Sequence, residues 1–225
     1  MSPRDTGADG PRPVVRGPLV VLDVDSTLIG QEVVDLLADA AGVGDEVAAI
    51  TEAAMRGELD FAGSLTRRVA LLEGLPESVL TAVRARITVT DGVPALIAAV
   101  HDAGGMVCAV SGGFDAVLTP IAEELGLDRW RANAVGIADG RLTGRVDGPV
   151  VDAAAKRDAL LEWAAESGVP LSRTVAIGDG ANDLLMLEAA ALGVAFDAKP
   201  AVRARADVVL PGRDLTPVLA LLGLD

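Results

Sequence analysis

The sequence has no tyrosine, only three phenylalanines and two tryptophans, so any core it builds is aliphatic. It has one cysteine, Cys108, which excludes an internal disulfide and leaves nothing resembling a zinc cluster. A reducing cytoplasm is the simplest setting for such a chain. The only histidine, His101, falls on a helix face with no chemistry gathered round it. Basic residues are scarce too: 19 Lys and Arg face 33 Asp and Glu, for a net charge of −14. That balance argues against nucleic acid or an anionic membrane as the partner. An anionic small-molecule substrate would need a few placed cations or a metal to overcome the field. No apolar run reaches the roughly 18 residues of a membrane span. The opening stretch, MSPRDTGADGPRPVVRGP, lacks the apolar middle of a signal peptide. Residues 1–17, rich in Pro and Gly, read as a disordered tail. A homodimer is allowed but not specified.

What is present is abundant Ala, Val and Leu: 51% of the 225 residues are apolar, enough for one large domain or one domain with an insertion. Short continuous apolar runs recur at Leu19–Leu22, Met106–Val110, Thr174–Ile177, Val194–Phe196 and Val208–Leu210. Runs without polar alternation, separated by helical patterns, predict parallel strands covered on both faces. Helices are expected over Val93–Ala103, Asp115–Leu125, Ala153–Ser167 and Asn182–Ala190. The fold class is α/β, a doubly wound parallel sheet. Between the first two strands, residues 31–87 read as four short helices parted at Gly42–Gly44, Gly57 and Gly74–Pro76. A single crossover needs only about a dozen residues, so this stretch predicts an inserted helical cap. Asp139-Gly140, inside ANAVGIADGRLTGRV, predicts a hairpin.

Chemistry concentrates at strand ends. In VVLDVDSTLIG the first strand delivers Asp23 and Asp25, two positions apart and so on one side of the chain. In an open α/β sheet that edge is where ligands bind. A hard divalent cation such as magnesium would relieve their repulsion; an acidic turn that merely solvates the chain end is the ordinary alternative. VAIGDGANDLLM repeats the logic with Asp179 and, at a helix start, Asn182 and Asp183. In CAVSGGF, Ser111 with Gly112 and Gly113 offers a hydroxyl and backbone N–H groups before a helix, a cradle for a phosphate oxygen or simply a glycine turn. Lys156, near the start of its helix, is the one fixed cation such a site would need, or an ordinary surface lysine.

In that order, DVDST, SGGF, the lysine and GDGAND resemble the four motifs of the haloacid dehalogenase superfamily. QEVVDLLADAAG, AAITEAAMRGELDFAGSLTRRVALLEGLP and VAFDAKP are further similar to its phosphoserine phosphatase family, over about residues 19 to 215. The resemblance implies a core over 18–30 and 91–225 with a cap over 31–90. It implies Mg2+-dependent hydrolysis of O-phospho-L-serine to L-serine and phosphate, the last step of L-serine biosynthesis. Asp23 would be the nucleophile and form an aspartyl-phosphate; Asp25 would be the general acid, then the base. The metal would be held by the Asp23 and Asp179 carboxylates and the backbone carbonyl of Asp25. Ser111, Gly112 and Lys156 would hold the phosphoryl group, with Asn182 nearby and Asp183 orienting Lys156 or a metal-bound water. Glu32 would meet the substrate ammonium and Arg68, rather than neighbouring Arg67, its carboxylate. Met55 and Phe61 would form an apolar wall. A receiver-like switch, a broader phosphatase, a phosphotransferase to homoserine and a dehalogenase are the rival readings. The uninterrupted cap weighs against the first, and Asp25 against the last two.

Overall fold

Leu19–Leu22 (β1) contains no polar residue and is wholly buried, as a central strand covered on both faces must be. Alternate side chains go to opposite layers: Val20 and Leu22 into one apolar cluster, Leu19 and Val21 into the other. The computed structural model describes residues 15–225, apart from the side chain of Met55. The expected tail over residues 1–14 therefore lies outside the described residues. Val15–Gly17, counted with that tail, belong to the folded body: Val15 packs on the second cluster, and the Arg16 and Gly17 N–H groups donate to the Gly104 carbonyl at 3.1 and 2.9 Å.

After β1 come four helices, Val33–Ala41 (α1), Gly44–Met55 (α2), Phe61–Ala70 (α3) and Ser78–Arg84 (α4), and then Val93–Asp102 (α5). The chain continues through Met106–Phe114 (β2), Asp115–Leu125 (α6), Arg129–Ala138 (β3), Arg141–Asp147 (β4), Ala153–Ser167 (α7) and Thr174–Gly178 (β5). It ends with Leu184–Ala189 (α8), Leu192–Phe196 (β6), Pro200–Arg203 (α9), Val208–Leu210 (β7) and Pro217–Leu222 (α10). The seven strands lie in the order β4-β3-β2-β1-β5-β6-β7. All neighbours pair in parallel except β4, which turns back antiparallel on β3. The turn at Asp139-Gly140 holds both residues at positive φ, 51° and 72°, the geometry whose twist suits a tight hairpin. No helix among the described residues is long and apolar enough to cross a membrane.

Two expected elements change in extent or kind, while Thr174–Gly178, Leu192–Phe196 and Val93–Asp102 differ from expectation by one or two residues. The second strand does not stop at Val110 but runs irregularly to Phe114, with its register on β3 broken between those residues. The helix expected over Asn182–Ala190 is a tight turn at Ala181–Asp183 followed by α8. The cause is local: the Asp183 side chain accepts the N–H groups of Asp179 and Gly180, which competes with a continuous helix.

The helices α1 to α4 are tied to the sheet in two places. Two linkers cross side by side, Gly30 N–H to the Thr88 carbonyl at 2.9 Å and Thr90 N–H to that of Leu28 at 3.0 Å. The tip of the β3–β4 hairpin forms the second tie: Gly74 N–H donates to Leu142 O, Leu142 N–H to Leu75 O and Glu77 N–H to Gly140 O, at 2.9, 2.9 and 2.8 Å.

Candidate active site

Beyond Leu22 the chain makes one wide turn, in which Leu28 and Ile29 N–H groups reach back five residues to the carbonyls of Asp23 and Val24. Ser26 sits at the bend with φ of 58°. Such wide turns recur at functional positions. This one leaves Asp23 at the end of β1 and swings Asp25 toward the first cap helix, where its Oδ1 accepts the Val33 N–H at 3.0 Å. The Ser26 hydroxyl donates to Glu32 at 2.7 Å, so the turn also sets the first residue of the cap side.

The ends of β1 and β5 are neighbours, which brings Asp23 and Asp179 together. Carboxylate oxygens of Asp23, Asp179 and Asp183 all lie within 4.8 Å of one another. Into this knot α7 sends Lys156, completely buried, whose ammonium donates to Asp23 Oδ1 and, at 2.6 Å, to Asp183 Oδ1. Asp183 is itself completely buried, its other oxygen occupied by two backbone N–H groups at 3.1 and 2.9 Å. Gly178 must be glycine because a Cβ there would lie 2.6 Å from the Asp183 carboxyl carbon.

Burial and mutual repulsion dominate the electrostatics. Burial, then Asp183, holds the Asp23 carboxyl well above its ordinary range against the pull of Lys156. Asp25 is pushed up to about 7 by burial and then by Glu32. Asp179 is pushed up to about 6 by burial, Asp183 and Glu32, with Lys199 and Lys156 opposing. Burial alone would lower the Lys156 ammonium, yet Asp183 and Asp23 outweigh it and raise it. The knot therefore carries more negative charge than its lysine neutralises. Its free donors are hard carboxylate oxygens, the chemistry of a divalent cation site.

A cavity of about 170 Å³ opens on this knot, room for a small metabolite rather than a polymer. Of the expected site residues, Asp23, Asp25, Glu32, Phe61, Arg68, Gly112, Asp179 and Asn182 line it. Arg67, one position away from Arg68, is exposed. Lys156 and Ser111 stand behind the lining, Lys156 buried between its two carboxylates and Ser111 1% exposed. The side chain of Met55 lies outside what is described. Phe61 closes over the irregular end of β2: a Cβ on Gly112 would come 2.6 Å from the ring.

The SGG segment is arranged differently from a simple glycine turn. The Gly113 N–H is taken up by the Ser111 hydroxyl oxygen at 2.7 Å, and that hydroxyl points its own hydrogen toward Asp25 Oδ2, 3.4 Å away. Asn133, 1% exposed on β3, braces this irregular end of β2; it donates to the Gly112 carbonyl and accepts the Val151 N–H, each at 2.8 Å. Asn133 is absent from the residues expected from the sequence, although a lone carboxamide in the apolar run RANAVGIA was a usable signal. Thr27, which donates to Asp179 at 3.4 Å, and Lys199, on the cavity lining, are also absent from them. His101 pairs with Asp128 at 2.9 Å, and Cys108 is buried in β2 with its thiol pushed up to about 12.

A family model described as haloacid dehalogenase-like hydrolase matches residues 20–188. The chain is 57% identical over 206 residues to a phosphoserine phosphatase of Streptomyces coelicolor, covering 92% of this chain but 50% of that one. It thus spans about half the length of that relative. It is 50% identical over 204 residues to a phosphoserine phosphatase of Streptococcus thermophilus, covering 91% of this chain and 95% of the relative. Among solved structures it resembles a phospho-aspartyl intermediate analogue of phosphoserine phosphatase, with a TM-score of 0.87, 42% identity, and 92% and 99% of the two chains covered. With that family model matching most of its length and a relative half identical to it along nearly all of both chains, the chain belongs to the haloacid dehalogenase-like hydrolase family.

Proposed function

We propose that the protein is a phosphoserine phosphatase, hydrolysing O-phospho-L-serine to L-serine and inorganic phosphate through an aspartyl-phosphate on Asp23. The observation that carries the substrate is the presence of Glu32 and Arg68 in the same small cavity as Asp23. A carboxylate and a guanidinium opposite a phosphoryl-accepting site match the ammonium and carboxylate of an amino acid phosphorylated on its side chain. The names of the relatives from Streptomyces coelicolor and Streptococcus thermophilus support the same reading.

Asp23 attacks phosphorus, its carboxylate oxygen forming the new P–O bond as the bond to the serine oxygen breaks. Asp25 gives that oxygen its proton. Asp25 then takes a proton from the water that attacks phosphorus, which releases phosphate and restores Asp23. A group near neutrality serves both directions, and Asp25 is pushed up to about 7. Lys156 holds Asp23 in place and carries positive charge into the dry floor of the site. Ser111, Gly112 and Asn182 hold phosphoryl oxygens, and Asp183 positions Lys156. Mg2+ would be held by the carboxylates of Asp23 and Asp179 with the main-chain carbonyl of Asp25. When bound it offsets the charge of the transferring group. Phe61 and the helices α1 to α3 exclude water. In this reading residues 31–90 form the cap and 18–30 with 91–225 the catalytic core. The lone buried thiol Cys108 fits a cytoplasmic protein.

A panel of small phosphomonoesters, with Mg2+ or with EDTA, tests the activity. Phosphoserine is expected to be the best substrate and EDTA to abolish turnover. Glu32→Gln and Arg68→Ala test the selectivity. Glu32 is exposed and Arg68 half-buried, so the bound substrate itself must bury both pairs. Removing one partner of a pair so buried costs about 2–5 kcal/mol, roughly thirty- to several-thousand-fold in kcat/KM on phosphoserine. An aryl phosphate, lacking both groups, should lose less than about fivefold. Parallel losses on both substrates, or none on either, would refute the assignment of these residues.

A further inference from the structure

The cavity lining poses an electrostatic problem that the groups assigned above leave open. Four carboxylates, Asp23, Asp25, Glu32 and Asp179, face two cations, Arg68 and Lys199. Lys156 adds little outward field, because it is completely buried and both its ion pairs are made inside the protein. Arg68, half-buried on α3, is on the other side of the cavity and already feels the charges of Asp35, Glu32 and Asp25. Apart from any Mg2+ held by Asp23 and Asp179, a phosphomonoester dianion approaching a chain of net charge −14 therefore meets one exposed side-chain cation on the core side of the lining, Lys199.

The backbone of Lys199 is fixed rather than loose. Its N–H donates to the main-chain carbonyl of Asp179 at 3.2 Å, and Asp197, two residues earlier, is anchored to Leu210 O at 2.9 Å. The side chain is exposed, and none of the ion pairs within 4 Å among the described residues uses it. Its charge nonetheless reaches the site, where it opposes the upward shift of Asp179. An exposed ammonium on a fixed backbone, lining an over-negative pocket and in no ion pair among the described residues, is placed to attract an anion.

We propose that Lys199 is the residue that recruits the phosphoryl dianion to the site and retains inorganic phosphate there, a role separate from that of Lys156. This rests on the phosphatase reading, and the test keeps the two apart. Lys199→Met, Lys199→Arg and the unaltered protein are compared for kcat/KM on phosphoserine in Mg2+ at about 10 mM and about 0.5 M ionic strength. The Debye length falls from about 30 Å to a few ångström between those conditions. Steering by a cleft raises association by roughly 10–10³-fold at low salt. Lys199→Met should therefore lose about tenfold at low salt and less than about threefold at high salt, with kcat nearly unchanged and Lys199→Arg restoring the rate. Calorimetric titration with inorganic phosphate supplies a readout that needs no turnover, and the Met variant should bind it more weakly at low salt only. Melting curves confirm that the variants fold. If the unaltered protein hydrolyses phosphoserine but the Met variant keeps its salt slope and phosphate affinity, the role of Lys199 is overturned and the function stands. If phosphoserine is not hydrolysed yet phosphate affinity falls in the Met variant, the function is overturned and the anion site stands. A loss equal at both salts refutes recruitment.

Discussion

The carboxylates of the site should destabilise the metal-free protein as pH rises, and the size of the effect is worked from Asp25 and Asp179, with Asp23 shifted in the same direction. Asp25 moves from an ordinary 3.8 to about 7 and Asp179 from 3.8 to about 6. Both are raised, so the folded state binds these protons more tightly than the unfolded chain. Their contribution is favourable at low pH and is lost as pH rises through about 6 and then about 7. At about 1.4 kcal/mol per unit, the separate losses are roughly 4 and 3 kcal/mol. The two share one repulsive field, so the combined loss is about 3–5 kcal/mol. For a domain of this size about 1 kcal/mol moves Tm by roughly 2–4 °C, which makes the fall about 10 °C. Calorimetric melts in EDTA from about pH 4 to pH 8 span the whole interval in which it is lost. Added Mg2+ should raise Tm more at pH 8 than at pH 5, because the cation binds the ionised acids. Asp25→Asn keeps an acceptor for the Val33 N–H and removes one titration. It should flatten the profile and exceed the unaltered protein in metal-free stability at pH 8. General self-repulsion of a chain of net charge −14 would act on both proteins alike. Equal pH slopes in the two would therefore refute the argument.

Two substitutions probe the chemistry and its support. Asp23→Asn should reduce turnover below about one per cent with the fold retained, since loss of a nucleophile costs several orders of magnitude; a melting curve alongside the rate assay separates the two, and higher residual activity would remove Asp23 from that role. Asn133→Asp keeps the acceptor for Val151 N–H but sets a carboxylate against the Gly112 carbonyl, so it should lower kcat about tenfold or more on phosphoserine and aryl phosphate alike. A loss confined to phosphoserine would show that Asn133 acts on the cap end and not on the phosphate loop.

The strands and the cap are legible in the sequence because burial on both faces leaves a chemical trace. LVVL can only be an interior strand, and four glycine-parted amphipathic stretches between two such runs cannot be one crossover. Asp23, Asp25, Asp179 and Asp183 are legible for the opposite reason: acids directly after apolar strands violate the local pattern, and such violations gather at functional sites. Arg68 is separated from Arg67 by resemblance alone, since both are charged positions on one amphipathic helix. The structure parts them by exposure, Arg68 at the cavity and Arg67 in solvent.

Lys199 and Asn133 are of another kind, because what makes them matter is a neighbour distant in the chain. Lys199 follows β6, and only the sheet order, with β6 beside β5, puts it against Asp179. Asn133 lies on β3, and only the pairing of β3 with β2 sets its amide under Gly112. Apolar periodicity identifies strands but carries no information on which strands are adjacent. The acids are found by what precedes them and the supporting cation and amide by what lies beside them.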